Sequence, residues 1–290
     1  MSLLPKIPGS VLGVLFPAFC LHCNRELEFG SWTGICPRCW AQLEPWAGPM
    51  CYRCGLPSSP QSIPRPSGLC DSCHQDTYTF DFARSLTIYS GAARTLIHQL
   101  KFNRRERLAP KLGEALAASA AHGPLRQLLR FACQPGAGGP GNQALENPLV
   151  LVPVPLHPAR EKERGFNQAE RIARGLVIKV ERLDPAVRWE VDPRGLKRIR
   201  PTAPQSGLDF RARQENVRNS FRAASQDRFK NRIVVLVDDV MTTGATASAC
   251  ARELKKAGAQ RVMVLTVARA APWLDGIPEA ARPAVDVEGA

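Results

Sequence analysis

Two adjacent carboxylates, followed at short range by hydroxyls around a glycine, are the residues here best equipped for chemistry. Asp238 and Asp239 precede Thr242, Thr243, Gly244, Ala245 and Thr246 in the string VVLVDDVMTTGAT, residues 234–246. Carboxylates accept hydrogen bonds from vicinal hydroxyls. A helix amino-terminus offers unpaired N–H groups and the positive end of its dipole, so it binds phosphate. Gly244 lets the backbone approach an anion closely, and the threonines add donors. A sugar with a phosphate on a neighbouring carbon fits both halves. The plain alternative is a buried strand ending in a polar turn. Two acids after a strand are common, but the whole string is not.

The second group of reactive residues is at the other end. Eight of the ten cysteines form four C-x-x-C pairs: Cys20/Cys23, Cys36/Cys39, Cys51/Cys54 and Cys70/Cys73. Each pair can present two thiolates through one tight turn, and two pairs complete a tetrahedral all-sulfur site of the kind zinc prefers. Gaps of 12 residues within the first two pairs and 15 within the last two suit consecutive zinc ribbons. A crossed arrangement joining the first pair to the third, a redox or disulfide role, and an iron–sulfur cluster are the alternatives. Four thiolates per ion leave no open position, which makes the sites structural. Residues 1–80 are rich in Pro, Gly and Ser and have little to bury, so metal would supply most of their folding energy. Trp32, Trp40, Trp46 and Tyr52 read as the core of this module in preference to its contact surface.

The elements that position these groups are legible around them. Ile233–Val237 is a continuous aliphatic run, as in a strand buried on both faces. Ala247, Cys250, Ala251, Leu254 and Ala257 recur at helical spacing, Gly258 is placed to end the helix, and Arg261–Val267 reads as the next strand. Leu149–Leu156 is a second buried strand, closed by Pro153 and Pro155. The loop HPAREKERGFNQAE leads into a helix over Gln168–Val180, with Arg164, Gly165, Asn167 and Gln168 at its start. This repeats the strand–loop–helix junction and marks a second anion pocket. Upstream, Phe82–Tyr89 reads as a strand, and Gly91–Phe102 and Leu108–Ala121 as helices. His98 is a packing or surface residue there. The run GAGGPG matches a dinucleotide loop by letter, yet it follows no strand and contains Pro140. It belongs to a flexible insertion over about 131–148. Residues 196–221 are polar and carry Arg198, Arg200, Thr202, Gln205, Arg213 and Asn216. A long polar connection over an anion site reads as a lid, and its arginines would neutralise leaving-group charge.

Composition sets the outer bounds. With 290 residues and 44% apolar content, the chain holds one sizeable domain and a small one. No apolar run reaches the roughly 18 residues that would span a membrane. Val11–Phe19 is short and broken by Pro17, and Phe19 is too large for a signal-peptidase site, so a cytoplasmic protein is expected. The formal charge of +13 lies beyond residue 80, because five basic and five acidic residues balance before it. Arg194–Arg232 alone holds eleven basic against three acidic residues. Such a run is either a solvated face or a site for a polyanion. Zinc thiolates would make the amino-terminal module negative, which argues against its gripping nucleic acid unaided.

The string at 234–246 resembles the phosphoribosyl pyrophosphate (PRPP) signature of type I phosphoribosyltransferases. Together with IHQLKF around Lys101, PVPLHPAREKERGFNQAERIA, the R-x-R-x-T-x-x-Q pattern at Arg198–Gln205 and R-x-x-N at Arg213–Asn216, it resembles the ComF family of competence-associated phosphoribosyltransferase-like proteins. Many members of that family open with a double zinc ribbon. The resemblance implies an α/β fold: a type I phosphoribosyltransferase-like, mostly parallel sheet with flanking helices over 81–290, a tail from 271, and a double zinc-ribbon module over 1–80. It implies that Asp238 and Asp239 hold ribose hydroxyls, that residues 242–246 wrap the 5′-phosphate, and that Arg164, Gly165, Asn167, Lys101 and the lid face the rest of PRPP and its Mg²⁺. Arg198 joins the two acids as a catalytic candidate. Three functions follow: a phosphoribosyltransferase; a non-catalytic PRPP sensor or single-stranded-DNA binder acting in DNA uptake; and an adaptor docking on a competence helicase or uptake machinery.

Overall fold

The computed structural model describes residues 18–27, 34–59, 65–118, 123–133, 147–183, 187–200, 217 and 219–274. The arm before Ala18, Trp32, the GAGGPG run, lid residues 201–216 and the tail beyond Leu274 lie outside them.

The amino-terminal module contains a two-stranded ladder, β1 (Ala18–Phe19) and β2 (Glu26–Leu27), and two single-turn helices, α1 (Pro37–Trp40) and α2 (Asp71–His74). The main domain then runs β3 (Phe82–Ile88), α3 (Gly91–Phe102), α4 (Leu108–Ala118), α5 (Pro124–Cys133), β4 (Leu149–Pro153), α6 (Pro158–Arg164), α7 (Gln168–Leu183), β5 (Trp189–Val191), β6 (Leu196–Arg198), β7 (Phe221–Ala223), β8 (Ile233–Met241), α8 (Ala245–Lys256) and β9 (Arg261–Arg269). Five strands form one sheet in the order β3-β9-β8-β4-β5, and every pairing is parallel.

A parallel sheet must be covered on both faces, and the side chains sort accordingly. Leu149, Leu151, Val235, Val237, Met263 and Leu265 pack under α3, α4, α5 and α7. Val150, Val152, Val234, Leu236, Val262 and Val264 pack under α8 and the β6–β7 hairpin. Full burial of each such side chain is worth roughly 1.5–3 kcal/mol, so this double layer is the main stabilising element. α4 and α7 meet backbone to backbone. A Cβ on Gly113 would stand 2.1 Å from the Ile172 carbonyl, and one on Gly175 would stand 2.3 Å from that of Pro110.

Several elements differ from the sequence reading. Asp238 and Asp239 do not follow the strand. They are inside β8, which continues to Met241 alongside Arg269 of β9. Residues 131–133 of the expected insertion form the last turn of α5. The loop after β4 contains α6, which buries no side chain and so lacks hydrophobic periodicity. It is made by Pro158 in its first turn, a His157 cap and Gly165 in the left-handed conformation (φ 85°). The expected lid begins as β6, which pairs antiparallel with β7. The tail's first residues pack down, with Leu274 buried and the Trp273 indole N–H bonded to the Pro57 carbonyl at 3.1 Å.

The zinc-ribbon region does not stand apart. Cys20, Cys36 and Cys39 share a core with Leu96, Leu100 and Phe82, while Cys51, Cys54 and Cys73 share the opposite core with Val234 and Leu254. Trp40 packs partly buried on the first core. Tyr52 is 55% exposed and meets Phe82 edge-on at 6.3 Å, so it belongs to the seam and not to a module core.

Candidate active site and metal centres

The eight thiols come together as two sets of four. Cys20, Cys23, Cys36 and Cys39 form one, and Cys51, Cys54, Cys70 and Cys73 the other, with all ligand atoms of a set within 4.8 Å of one another. The pairing is therefore consecutive, and the crossed alternative is excluded. Each set joins a knuckle turn to a one-turn helix that begins just after a ligand, Cys36 for α1 and Cys70 for α2. Zinc bound at about 2.3 Å to four sulfurs places them about 3.8 Å apart. The Cys23–Cys36 and Cys54–Cys70 Sγ separations of 3.7 and 3.6 Å fit that geometry. The Cys36 and Cys70 amides donate to Cys20 and Cys51 Sγ at 3.4 Å, as expected for thiolate acceptors. Both sets are structural zinc sites, closed by four protein ligands.

The second centre lies where the sheet's connections diverge. β4 leads through α7 to β5 on one side, and β8 leads through α8 to β9 on the other. Ligands of open parallel sheets bind in the crevice at such a point, beyond the carboxyl ends of the strands. A cavity of about 440 Å³ occupies it. Its walls include Lys101, Arg160, Arg164, Arg198, Asp238, Asp239, Thr242, Gly244, Ala245 and Thr246. Four basic side chains against two acids suit an anionic ligand of nucleotide-precursor size.

Because Asp238 and Asp239 are consecutive strand residues, they serve different neighbours. Asp239 is 5% exposed and takes an ion pair from Lys101 Nζ at 2.8 Å, brought by the last turn of α3. Asp238 Oδ1 accepts the Asp239 amide at 2.8 Å and faces Arg198 on the hairpin side. Burial and the Asp239 charge push the Asp238 carboxyl up to about 7, against the pull of Lys101 and Arg198. Burial alone would lower the Lys101 pKa, but the charges of Asp239 and Asp238 hold it above its usual value. Arg164 ends α6 and lies 5.8 Å from the Phe102 ring, and Arg198 lies 5.4 Å from that of Phe221.

The turn after β8 is held from behind. The Met241 carbonyl accepts from Arg269 Nη1 at 2.9 Å and from the Ala270 amide at 3.0 Å. The Thr242 carbonyl also accepts from Arg269. The Thr243 carbonyl takes the Tyr78 hydroxyl at 2.9 Å, and the Gly244 carbonyl takes the Ser248 amide at 2.8 Å. With four successive carbonyls drawn outward, the N–H groups of the turn and the start of α8, apart from the Ala245 amide held by Thr243 Oγ1, are left for an anion. Gly244 has φ 78°, and a Cβ there would stand 2.9 Å from the Tyr78 ring, so glycine is required twice over.

Three of the sequence candidates have other work. Thr243 is not in the cavity wall; its Oγ1 accepts the Ala245 amide at 3.4 Å. Asn167 lines the cavity, but its Oδ1 caps α7 through the Ala169 amide (3.0 Å) and its Nδ2 donates to the Val154 carbonyl (3.1 Å). Gly165 is exposed outside the wall and ends α6. The sequence reading did not single out Arg160, Tyr78 or Arg269. It named Gln168 only as part of the junction, yet its buried Nε2 has no partner among the described residues.

This is a phosphoribosyltransferase-like fold with a double zinc ribbon packed on its edge. The family model for the phosphoribosyl transferase domain matches residues 163–274, and that for the double zinc ribbon domain matches residues 11–74. The DNA utilization protein YhgH of Escherichia coli (strain K12) is 30% identical over 256 residues, covering 87% of this chain and 97% of its own. Competence protein F of Haemophilus influenzae is 28% identical over 254 residues (87% and 96%), and competence protein ComFC of Bacillus subtilis is 23% identical over 256 residues (85% and 92%). The chain belongs to the ComF family. Among the described residues no helix is long and apolar enough to cross a membrane.

Proposed function

We propose that the cavity binds PRPP with Mg²⁺ and that the protein transfers the phosphoribosyl group. The observation that carries this is the turn at 241–244, whose carbonyls are all drawn away from a cavity floored by Asp238 and Asp239. The turn and the start of α8 would hold the 5′-phosphate. Asp238 and Asp239 would orient the ribose hydroxyls. Arg164 and Arg198 would face the pyrophosphate, where positive charge favours its departure. Carboxylate oxygens suit Mg²⁺, and the ammonium of Lys101 already shows Asp239 facing a cation; the ion would supply further neutralisation of the pyrophosphate when bound. In the reaction, a nucleophile's electron pair forms the bond to the anomeric carbon while the carbon–oxygen bond to pyrophosphate breaks, its electrons leaving with that oxygen. Asp239 is placed to take the proton released by the nucleophile once Lys101 moves aside.

Relatives named for DNA utilization and competence support a role for this activity in the handling of imported DNA. The abundance of zinc-binding thiols favours a reducing, cytoplasmic setting. A second reading keeps PRPP binding without turnover, as a sensor, with the arginine-rich residues 194–232 binding single-stranded DNA. Titration calorimetry with PRPP and Mg²⁺ tests the first step: wild-type protein gives saturable heat and Asp238→Asn does not. Absence of heat from wild type defeats both readings of the cavity. Product analysis with candidate acceptors separates turnover from sensing, and DNA affinity across a salt series measures the arginine contribution.

A further inference from the structure

Three of the four supports behind the phosphate turn come from elements that flank it, β9 and α8. The fourth, Tyr78, comes from the segment that leaves the second four-cysteine centre. Arg53, between Cys51 and Cys54, clamps that segment. Its Nη2 donates to the carbonyls of Tyr78 at 2.6 Å and Phe80 at 3.0 Å, and its Nη1 pairs with Asp76 at 2.5 Å. The Tyr78 ring is 5% exposed, stacks on Phe80 at 4.8 Å and closes against Gly244. The next residue continues the contact, for the Thr79 amide donates to Ser248 Oγ at 2.9 Å in the first turn of α8. An unbroken set of contacts thus runs from a zinc knuckle to the anion-binding face of the main domain.

We propose that Tyr78 is a positioning residue through which the second four-cysteine knuckle holds the phosphate turn in its anion-binding conformation. The physical reason is the direction of one carbonyl. A peptide whose oxygen swings into the cavity removes an N–H from the phosphate and sets a partial negative charge against it. The Tyr78 hydroxyl holds the Thr243 oxygen on the far side, and the ring blocks the turn from collapsing backward. The zinc-bearing region is in this view part of the ligand site's scaffold, although none of its described residues lines the cavity.

The inference rests on the turn being the 5′-phosphate site, and the test separates the two. Full-length, zinc-loaded wild type, Tyr78→Phe and Arg53→Gln are titrated with ribose 5-phosphate, PRPP and inorganic pyrophosphate, alongside zinc content and thermal midpoint. Tyr78→Phe keeps the ring and its stacking and removes one hydrogen bond, so affinity for both sugar phosphates should fall about threefold to tenfold. Affinity for pyrophosphate, which meets Arg164 and Arg198, should stay the same. Arg53→Gln should give a smaller loss of the same selectivity. Unchanged sugar-phosphate affinity in either variant overturns the inference, as does an equal loss for pyrophosphate. Wild type that binds neither sugar phosphate refutes the cavity reading instead.

Discussion

The carboxyl of Asp238 titrates near 7 because burial and the adjacent Asp239 charge both disfavour its ionised form. An unfolded aspartate titrates at about 3.9. Between roughly pH 4 and 7 the unfolded chain therefore releases a proton that the folded protein keeps, and this group's contribution to stability falls across that window. A cation-bearing ligand favours the ionised form, so binding should release a proton below about pH 7, and affinity should climb between about pH 5.5 and 7.5. Calorimetry of the wild type in buffers of different ionisation enthalpy measures that proton, and its release should vanish well above pH 7, where Asp238 is already ionised. Lys101 offers a second test. Lys101→Met strands Asp239, which is 5% exposed, and should cost about 3 kcal/mol in urea unfolding. At this scale the acids, the threonines and the cysteines were legible because their chemistry is local. Tyr78 and Arg269 were not, because each acts on a backbone oxygen remote in sequence, 165 residues away for Tyr78.

Helices and strands give a different lesson. β4 and β8 announced themselves as aliphatic runs, β3 and β9 were also read as strands, and α3, α4, α7 and α8 as helices. α6 and the β6–β7 hairpin left no such trace, since α6 buries nothing and the hairpin strands have three residues each. Their positions matter all the same, for they deliver Arg160, Arg164 and Arg198 to the cavity. The contact between α4 and α7 also escapes a pattern search, because it is made by glycines with no side chain to count. Gly175→Ala would force a methyl to within 2.3 Å of the Pro110 carbonyl. Parting the helices to admit it should cost about 2 kcal/mol in urea unfolding, with zinc content unchanged.

Across the whole molecule, the amino-terminal ribbons act as cladding for the edge strand β3, one centre contributing to each of the two cores. The charge pattern had pointed this way, since a module without surplus positive charge is better suited to packing than to gripping phosphate. What the sequence could not convey was the depth of that packing, which depends on long-range contacts such as His22 Nδ1 with Thr95 Oγ1 at 3.0 Å. Removing zinc with a chelator should therefore lower the thermal midpoint of the entire protein and expose dye-binding apolar surface, in place of melting a separate module. Truncating residues 1–77 should likewise yield insoluble protein, because Phe82, Leu96 and Leu100 lose their cover.

The edge strand has a consequence for biosynthesis. Among the described strands β3 pairs with β9 alone, and Pro57 and Tyr78 meet Trp273 and Thr243. Segments made early are thus seated by almost the last of the described chain. Closing so long a loop is slow. The nascent ribbons must survive that interval with their thiols unclaimed by oxidants or by each other, and capture of the metal during translation is the step that would protect them.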